Sequence, residues 1–367
     1  MKRREFMKGA AVAGAGAAVA ASTLPKPAIA QGAKELKMVT TWPKNFPGLG
    51  TGAERLARNI TAMSGGSLTV KVFAAGELVP PFESFDAVSS GTADMYHAAD
   101  YYWQGKSKAF NFYAAVPFGL TATEQAAWIH HGGGQQLWDE LSKGFGIKPF
   151  MAGNTGVQMG GWFNKEVNSL EDYKGLKIRM PGLGGEVLRR IGAAAVSLPG
   201  GEIFPALQSG AIDATEWVGP WNDLAFGFYK VTKFYYYPGF HEPGTTLSSG
   251  VNLKTWEGLS ADHKAIITTA MAAENDLSLS EFNARNNGAL NTLTGKHKVT
   301  VKKFPDPVLN EIGKASGEVV GGVRAEGGIT AKVLDSFLDF RKQSIAWSKL
   351  SDQAYWNARL LPFKYAG

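Results

Sequence analysis

The stretch Ala211-Ile212-Asp213-Ala214-Thr215-Glu216-Trp217 closes a short apolar strand with a carboxylate and an indole side by side. Glu216 can hold a hard cation, Gln158 can add a neutral carbonyl, and the Trp217 main chain can add another. Lys177-Ile178-Arg179-Met180-Pro181 ends a second strand in an arginine just before a Pro-Gly turn. An arginine there offers a planar fork to a carboxylate through two parallel charge-assisted hydrogen bonds, or forms an ordinary surface ion pair. A cation at Glu216 would also hold the same carboxylate, so Arg179 and a metal would share one anion. Asn154 supplies a further amide, while Trp217, Trp221 and Tyr235 to Tyr237 make either apolar walls or core.

Nothing local points to catalysis. The chain contains no Gly-x-Ser-x-Gly elbow, no His-Glu-x-x-His helix and no phosphate-binding Walker loop. Pro181-Gly182-Leu183-Gly184-Gly185 lacks the third glycine of a dinucleotide fingerprint, and the adjacent His130 and His131 point in different directions.

The elements that must position these residues alternate along the chain. Leu36–Thr40 reads as a strand and Thr51–Ser64 as a helix, and Leu68, Val70 and Val72 alternate with polar residues as in a half-buried strand. The continuing alternation predicts an α/β fold with mainly parallel sheet. Residues 83–97, ESFDAVSSGTADMYH, lie over 202–216, EIFPALQSGAIDATE, with Glu, Phe, Ala, Ser-Gly and Asp in register. Each copy is a helix stopped by glycine and followed at once by a strand. Such units recur in many α/β proteins, but this number of identities favours two similar domains whose strand ends, near His97 and Glu216, face each other across a cleft. Beyond Gly244 the chain is helix-rich: Ser260 caps one long helix, Lys298–Phe304 is a strand, and Lys332–Leu361 is a final helix ended by Pro362. The apolar stripe of that last helix, Val333 to Ala354, packs either on the core or across a second subunit.

The first thirty-one residues read as something else. A basic start with Arg3-Arg4-Glu5-Phe6-Met7-Lys8, a small-residue apolar run and Ala28-Ile29-Ala30 make a cleavable leader that resembles the twin-arginine export signal. The leader takes five Lys/Arg and one acid, leaving 33 basic and 31 acidic residues, too even a balance for a nucleic-acid binder. There is no cysteine, which excludes disulfides and thiolate metal sites.

From about residue 34 onward the chain resembles the solute receptors of TRAP transporters, the tripartite ATP-independent periplasmic family, DctP type. Gly175 to Arg179, Leu207-Gln208-Ser209-Gly210-Ala211-Ile212-Asp213 and Gly219-Pro220-Trp221-Asn222-Asp223 carry the resemblance. Gln158, Glu216-Trp217 and Tyr236-Tyr237-Pro238-Gly239-Phe240-His241-Glu242-Pro243-Gly244 are similar to the subgroup that takes 2-oxo acids such as pyruvate with sodium; a sister type takes lactate with calcium. The resemblance implies a periplasmic-binding-protein-like α/β fold of two domains around a ligand cleft, crossed by long helices. It implies a leader over 1–31, domain I over 32–156 with 245–285, domain II over 157–244 with 286–331, and a C-terminal helix over 332–367 exchanged in a homodimer. Arg179 then matches the carboxylate-binding arginine, and Gln158, Glu216 and Trp217 match the ligands of a sodium or calcium ion. His97, Ala98, Tyr102 and Asn154 match substrate contacts, with Glu242 either in contact or supporting the site from behind. The implied function is a periplasmic receptor, not an enzyme, that delivers a small carboxylate to TRAP membrane permease subunits, with no nucleic-acid partner. The rival is an exported metal-assisted hydrolase or lyase at Glu216, for which only His97 or His241 is at hand as a base.

Overall fold

The computed structural model of the chain describes residues 33–365, so the leader lies outside the described residues. From Glu35 onward the chain forms one unit built on two sheets. The first sheet is ordered β2-β1-β3-β10-β4, from β1 (Lys34–Thr40), β2 (Leu68–Phe73), β3 (Met95–His97), β4 (Ile147–Asn154) and β10 (Thr246–Asn252). The second is ordered β11-β9-β5-β8-β6-β7, from β5 (Gly161–Phe163), β6 (Lys177–Arg179), β7 (Ala194–Val196), β8 (Ala214–Thr215), β9 (Phe234–Tyr237) and β11 (Thr300–Lys303). The alternating pattern therefore gives the α/β fold expected.

The sheets are mixed rather than mainly parallel. β1 with β3, and β6 with β7 and β8, run parallel, joined through helices. β10 enters antiparallel between β3 and β4, and β5 enters antiparallel between β8 and β9. The cause is the path of the chain. It leaves the first sheet after β4 and returns after β9, and the strand that follows each crossing, β5 and then β10, enters its sheet against the local direction. The two crossing segments, 155–160 and 238–245, lie side by side: the Thr155 N–H donates to Thr245 O (3.0 Å) and the Gln158 N–H to Glu242 O (3.2 Å). Gly239 permits this approach, because a Cβ there would stand 2.4 Å from Gln158 O.

The repeated unit folds the same way twice. Helix Ser84–Ser90 ends at Gly91 (φ 84°) and leads to β3; helix Gly200–Ser209 ends at Gly210 (φ 74°) and leads to β8. Both glycines take the left-handed conformation that closes a helix at no Cβ penalty. Asp94 accepts from the Lys37 N–H (2.8 Å) and Asp213 from the Lys177 N–H (3.0 Å), so each copy is tied to its neighbouring strand by the same carboxylate.

Helix Ala261–Gly295 packs on β4 and helix Gly50–Met63 at one end and on helix Pro220–Phe226 at the other, bridging both sheets. Ser260 caps it as expected, accepting from the His263 N–H at 3.1 Å. The C-terminal helix is shorter than its apolar stripe suggests: it runs Gly328–Ser348, breaks, and resumes over Asp352–Ala358, short of Pro362. At the break Ser351 leaves the helical conformation (φ −105°, ψ −103°), and Ser348 and Ser351 donate back to the Ile345 and Trp347 carbonyls (3.3 and 3.1 Å). Around it Trp347, Leu350, Tyr355, Leu360, Leu361 and Tyr365 are exposed.

Candidate functional site

Arg179 closes β6 and is 1% exposed, and Glu216 follows β8 and is fully buried. Parallel pairing of Arg179 with Thr215 puts the two side chains at the same sheet end, the carboxyl end at which α/β sheets hold ligands. Arg179 Nη1 donates to Glu216 Oε1 and, at 3.2 Å, to Glu216 O, while Nε donates to Leu198 O at 3.2 Å. Nη2 reaches the Tyr102 hydroxyl at 3.4 Å. Burial opposes the guanidinium charge more than any other influence, but Glu216 together with Tyr102, Tyr101 and Glu242 outweighs it and the Arg179 pKa lies above its ordinary value. Burial also pushes the Tyr102 hydroxyl up to about 12, so it stays a donor.

The crossing segments complete the arrangement. His241 Nε2 donates to Glu216 Oε2 at 3.3 Å, and ligating atoms of Glu216, His241 and Glu242 all lie within 4.8 Å of one another. Gln158 Nε2 donates to Glu242 Oε2 (2.8 Å), Thr245 Oγ1 (3.1 Å) and Thr155 Oγ1 (3.2 Å), and Thr245 Oγ1 also donates to Glu242. These acceptors fix the amide with its nitrogen toward Glu242. Gln158 Oε1 is then a buried acceptor without a hydrogen-bond partner, as the His241 Nδ1 and Asn154 Nδ2 atoms are also unpaired. Burial, and after it the Glu216 charge, pushes the Glu242 pKa up to about 7. Aromatic rings enclose the group: the Arg179 guanidinium lies 5.1 Å from the Trp217 ring centre, and Trp217 packs against Trp42, Phe46 and Phe226.

The expected residues separate into two sets. Arg179, Glu216, Trp217, Tyr102, Gln158 and Glu242 come together, joined by the contacts above. Asn154 lies at the end of β4 with its Oδ1 accepting from the Gly156 N–H (2.8 Å) and its amide nitrogen free. His97 and Ala98 are different. His97 Nδ1 accepts from Trp42 Nε1 (2.8 Å) and its Nε2 donates to Ala152 O (3.1 Å), leaving no ring nitrogen for a ligand. The Ala98 N–H and carbonyl both pair with Ser248 (2.9 and 2.8 Å). Both frame the site, and neither offers it a polar group. Sequence reasoning missed Thr155, Thr245 and Trp42, which nothing local distinguishes. His241 lies in the Tyr236–Gly244 run that carries the resemblance, but the one role given to it was a rival's base, although its place beside Glu242 was a usable signal.

The model of the family described as bacterial extracellular solute-binding protein, family 7 (DctP) matches residues 38–325. The chain is 40% identical over 360 residues to a monocarboxylate 2-oxoacid-binding periplasmic protein of Nostoc sp., covering 97% of this chain and 98% of that protein. It is similar to a TRAP periplasmic solute-binding protein of Pseudoalteromonas atlantica solved with bound sodium and pyruvate: 41% identity, TM-score 0.86, 90% of this chain and 100% of that one covered. It is also similar to a TRAP transporter solute-binding protein of Bordetella bronchiseptica, a mixed-occupancy dimer with copurified calcium and picolinate: 35% identity, TM-score 0.87, 89% and 97% covered.

Proposed function

The chain belongs to the DctP family of bacterial extracellular solute-binding proteins, and from that premise we propose that it captures a small 2-oxo monocarboxylate such as pyruvate together with a cation. One observation carries the reading: a buried arginine fork, Arg179, stands at a strand end against the buried Glu216 carboxylate. Arg179 faces two buried carboxylates, Glu216 and Glu242, and an incoming acid adds a third negative group. A cation restores the balance, and the donors fit a hard one: Glu216, the unpaired Gln158 Oε1 and the Trp217 carbonyl are all oxygens. Bound there, sodium or calcium would supply positive charge to the acid's carboxylate and 2-oxo oxygens. Glu216 turned toward it leaves Arg179 Nη1 and Nη2 as a fork for the acid, with Tyr102 and Asn154 donating beside it. Glu242 then acts from behind, holding Gln158 through its amide nitrogen.

We place the receptor outside the cytoplasmic membrane, in the periplasm, released after the leader is removed and delivering the acid to TRAP permease subunits. No helix among the described residues is long and apolar enough to cross a membrane. A homodimer through the C-terminal helix is part of the proposal. Trp347, Leu350 and Tyr365, at 68%, 78% and 92% exposed, call for a covering partner, and the Bordetella neighbour is a dimer. The test is mass spectrometry of the small molecule that copurifies with native protein. A 2-oxo monocarboxylate is expected; a sugar, an amino acid or a dicarboxylate would reject the reading, and a 2-hydroxy acid would move it to the lactate type.

A further inference from the structure

We propose that Trp42 is a positioning residue of this site, setting the gap between the walls that enclose the acid, and that His97 holds it in place; the proposal rests on the function given above. Trp42 stands just past the end of β1, and its indole is 2% exposed. Its Nε1 donates to His97 Nδ1 at 2.8 Å, and His97 is itself tied to β4 through Nε2 and Ala152 O at 3.1 Å. The indole orientation is therefore fixed from the first sheet by a pair of hydrogen bonds in series.

What the indole touches gives it a role. Its ring centre lies 6.4 Å from Tyr102 and 6.3 Å from Trp217, the latter edge-on at 80°. Those two rings are the ones that meet Arg179, Tyr102 through its hydroxyl at 3.4 Å and Trp217 with its face 5.1 Å from the guanidinium. Tyr102 follows β3 of the first sheet, and Trp217 follows β8 of the second. Trp42 is thus wedged between one wall from each sheet. The loop behind it is fastened to the second sheet's side: the Phe46 ring packs at a tilt against Phe226, centres 4.3 Å apart, and Asn222 Nδ2 donates to Pro47 O at 3.0 Å. With the acid's carboxylate on Arg179, the separation of Tyr102 and Trp217 determines how long a tail fits beyond it. In a closely packed apolar site one methylene changes affinity by roughly 10-fold to 200-fold, so a small change in the wedge moves selectivity measurably.

The experiment measures affinities for pyruvate, 2-oxobutanoate and 2-oxopentanoate by titration calorimetry at fixed sodium and calcium, on protein stripped of copurifying acid. The readout is the ratio of short-chain to long-chain affinity, which a general loss of stability leaves alone. Wild type should favour pyruvate. In Trp42→Ala the ratio should shift toward 2-oxopentanoate by about tenfold or more. His97→Leu should shift it the same way by less, and His97→Gln, which can accept from the indole N–H and donate to Ala152 O, should restore it to within about twofold. Trp42→Phe keeps a ring without the N–H; it carries the test if the alanine variant does not fold. In that background His97→Leu should change the ratio no further, because His97 acts through the indole N–H. Affinities that fall in parallel, with an unchanged ratio in every Trp42 variant, overturn the proposal, as does a full His97→Leu effect in the Trp42→Phe background. A wild type that binds none of the three acids rejects the proposed function and this inference together; binding with an unmoved ratio rejects this inference alone.

Discussion

Residues 83–97 and 202–216 build the same helix, left-handed glycine and strand, yet one copy makes core and the other makes a charged site. The shared aspartate ties align Lys37 with Lys177, so the register places Arg179 where the first copy has Val39, Thr215 where it has Tyr96, and Glu216 where it has His97. Val39 and Tyr96 disappear into an apolar cluster; Arg179 and Glu216 form a buried ion pair. A charge pair buried this completely is weak evidence for stability, since desolvation of both ions consumes most of their attraction. The scaffold is therefore common to both copies, and the chemistry lies in the substitutions made on it. Both copies also hold a buried acid close by: Asp100 is bound by Ser248, Trp138, Tyr96 and Trp103, and Asp223 by Tyr235 and Trp162.

The comparison can be broken most forcefully at Arg179. Arg179→Ala should weaken acid binding by about 2–5 kcal/mol, because the buried ligand carboxylate would lose both hydrogen bonds of the fork and its compensating charge. Unchanged affinity in a calorimetric titration would place the fork outside the site. The two phenylalanines in register give the next largest effect. Phe85 is fully buried among Tyr96, Trp103, Phe110 and Phe145, whereas Phe204 is half-buried. Phe85→Ala should cost about 3–5 kcal/mol in denaturant unfolding and Phe204→Ala clearly less; equal losses would mean that the first copy is not the better-packed one.

His97 and Glu216 occupy matching positions, one kept neutral and the other charged. Burial lowers the His97 pKa from 6.5 to about 4, so its contribution to stability is present above pH 6.5 and lost as pH falls toward 4. Asp100 opposes it: burial raises its pKa from 3.8 to about 6, so its contribution is present below 3.8 and lost as pH rises through 6. Between pH 6.5 and 4 wild type should therefore lose stability relative to His97→Gln by about 3 kcal/mol. Parallel pH curves for the two proteins would show that the ring is not held neutral. The smallest effects concern the shared ties. Asp94→Ala and Asp213→Ala should each cost about 1 kcal/mol, and a strongly unequal pair would break the equivalence of the copies.

Much of this was readable in one dimension. The glycine stops, the matched aspartates and the strand ends at Arg179 and Glu216 are local features, and local features survive folding; the ties those aspartates make, to Lys37 and Lys177, span 57 and 36 positions and were not readable. The hydrogen-bonded set around Glu242 was only partly readable, because Thr155, Gln158, His241 and Thr245 sit on two crossing segments separated by five of the six strands of the second sheet. Trp42 met His97 across 55 positions with no periodicity to announce it. His97 and Ala98 illustrate the converse: a place next to the site does not ensure a free polar atom. The antiparallel entry of β10 was set by chain path, which hydrophobic spacing does not encode, and the break at 349–351 falls inside an apolar stripe that continues across it.

The central claim is that Glu216 serves a cation and Arg179 the acid, so the two ligands bind as one event. Titration of acid-free protein with pyruvate, in the presence and absence of sodium or calcium, for wild type and Glu216→Gln, tests it directly. The account predicts wild-type affinity that rises with the cation and a variant in which that dependence is lost. Equal cation dependence in both proteins, or pyruvate affinity in wild type indifferent to either ion, would contradict it.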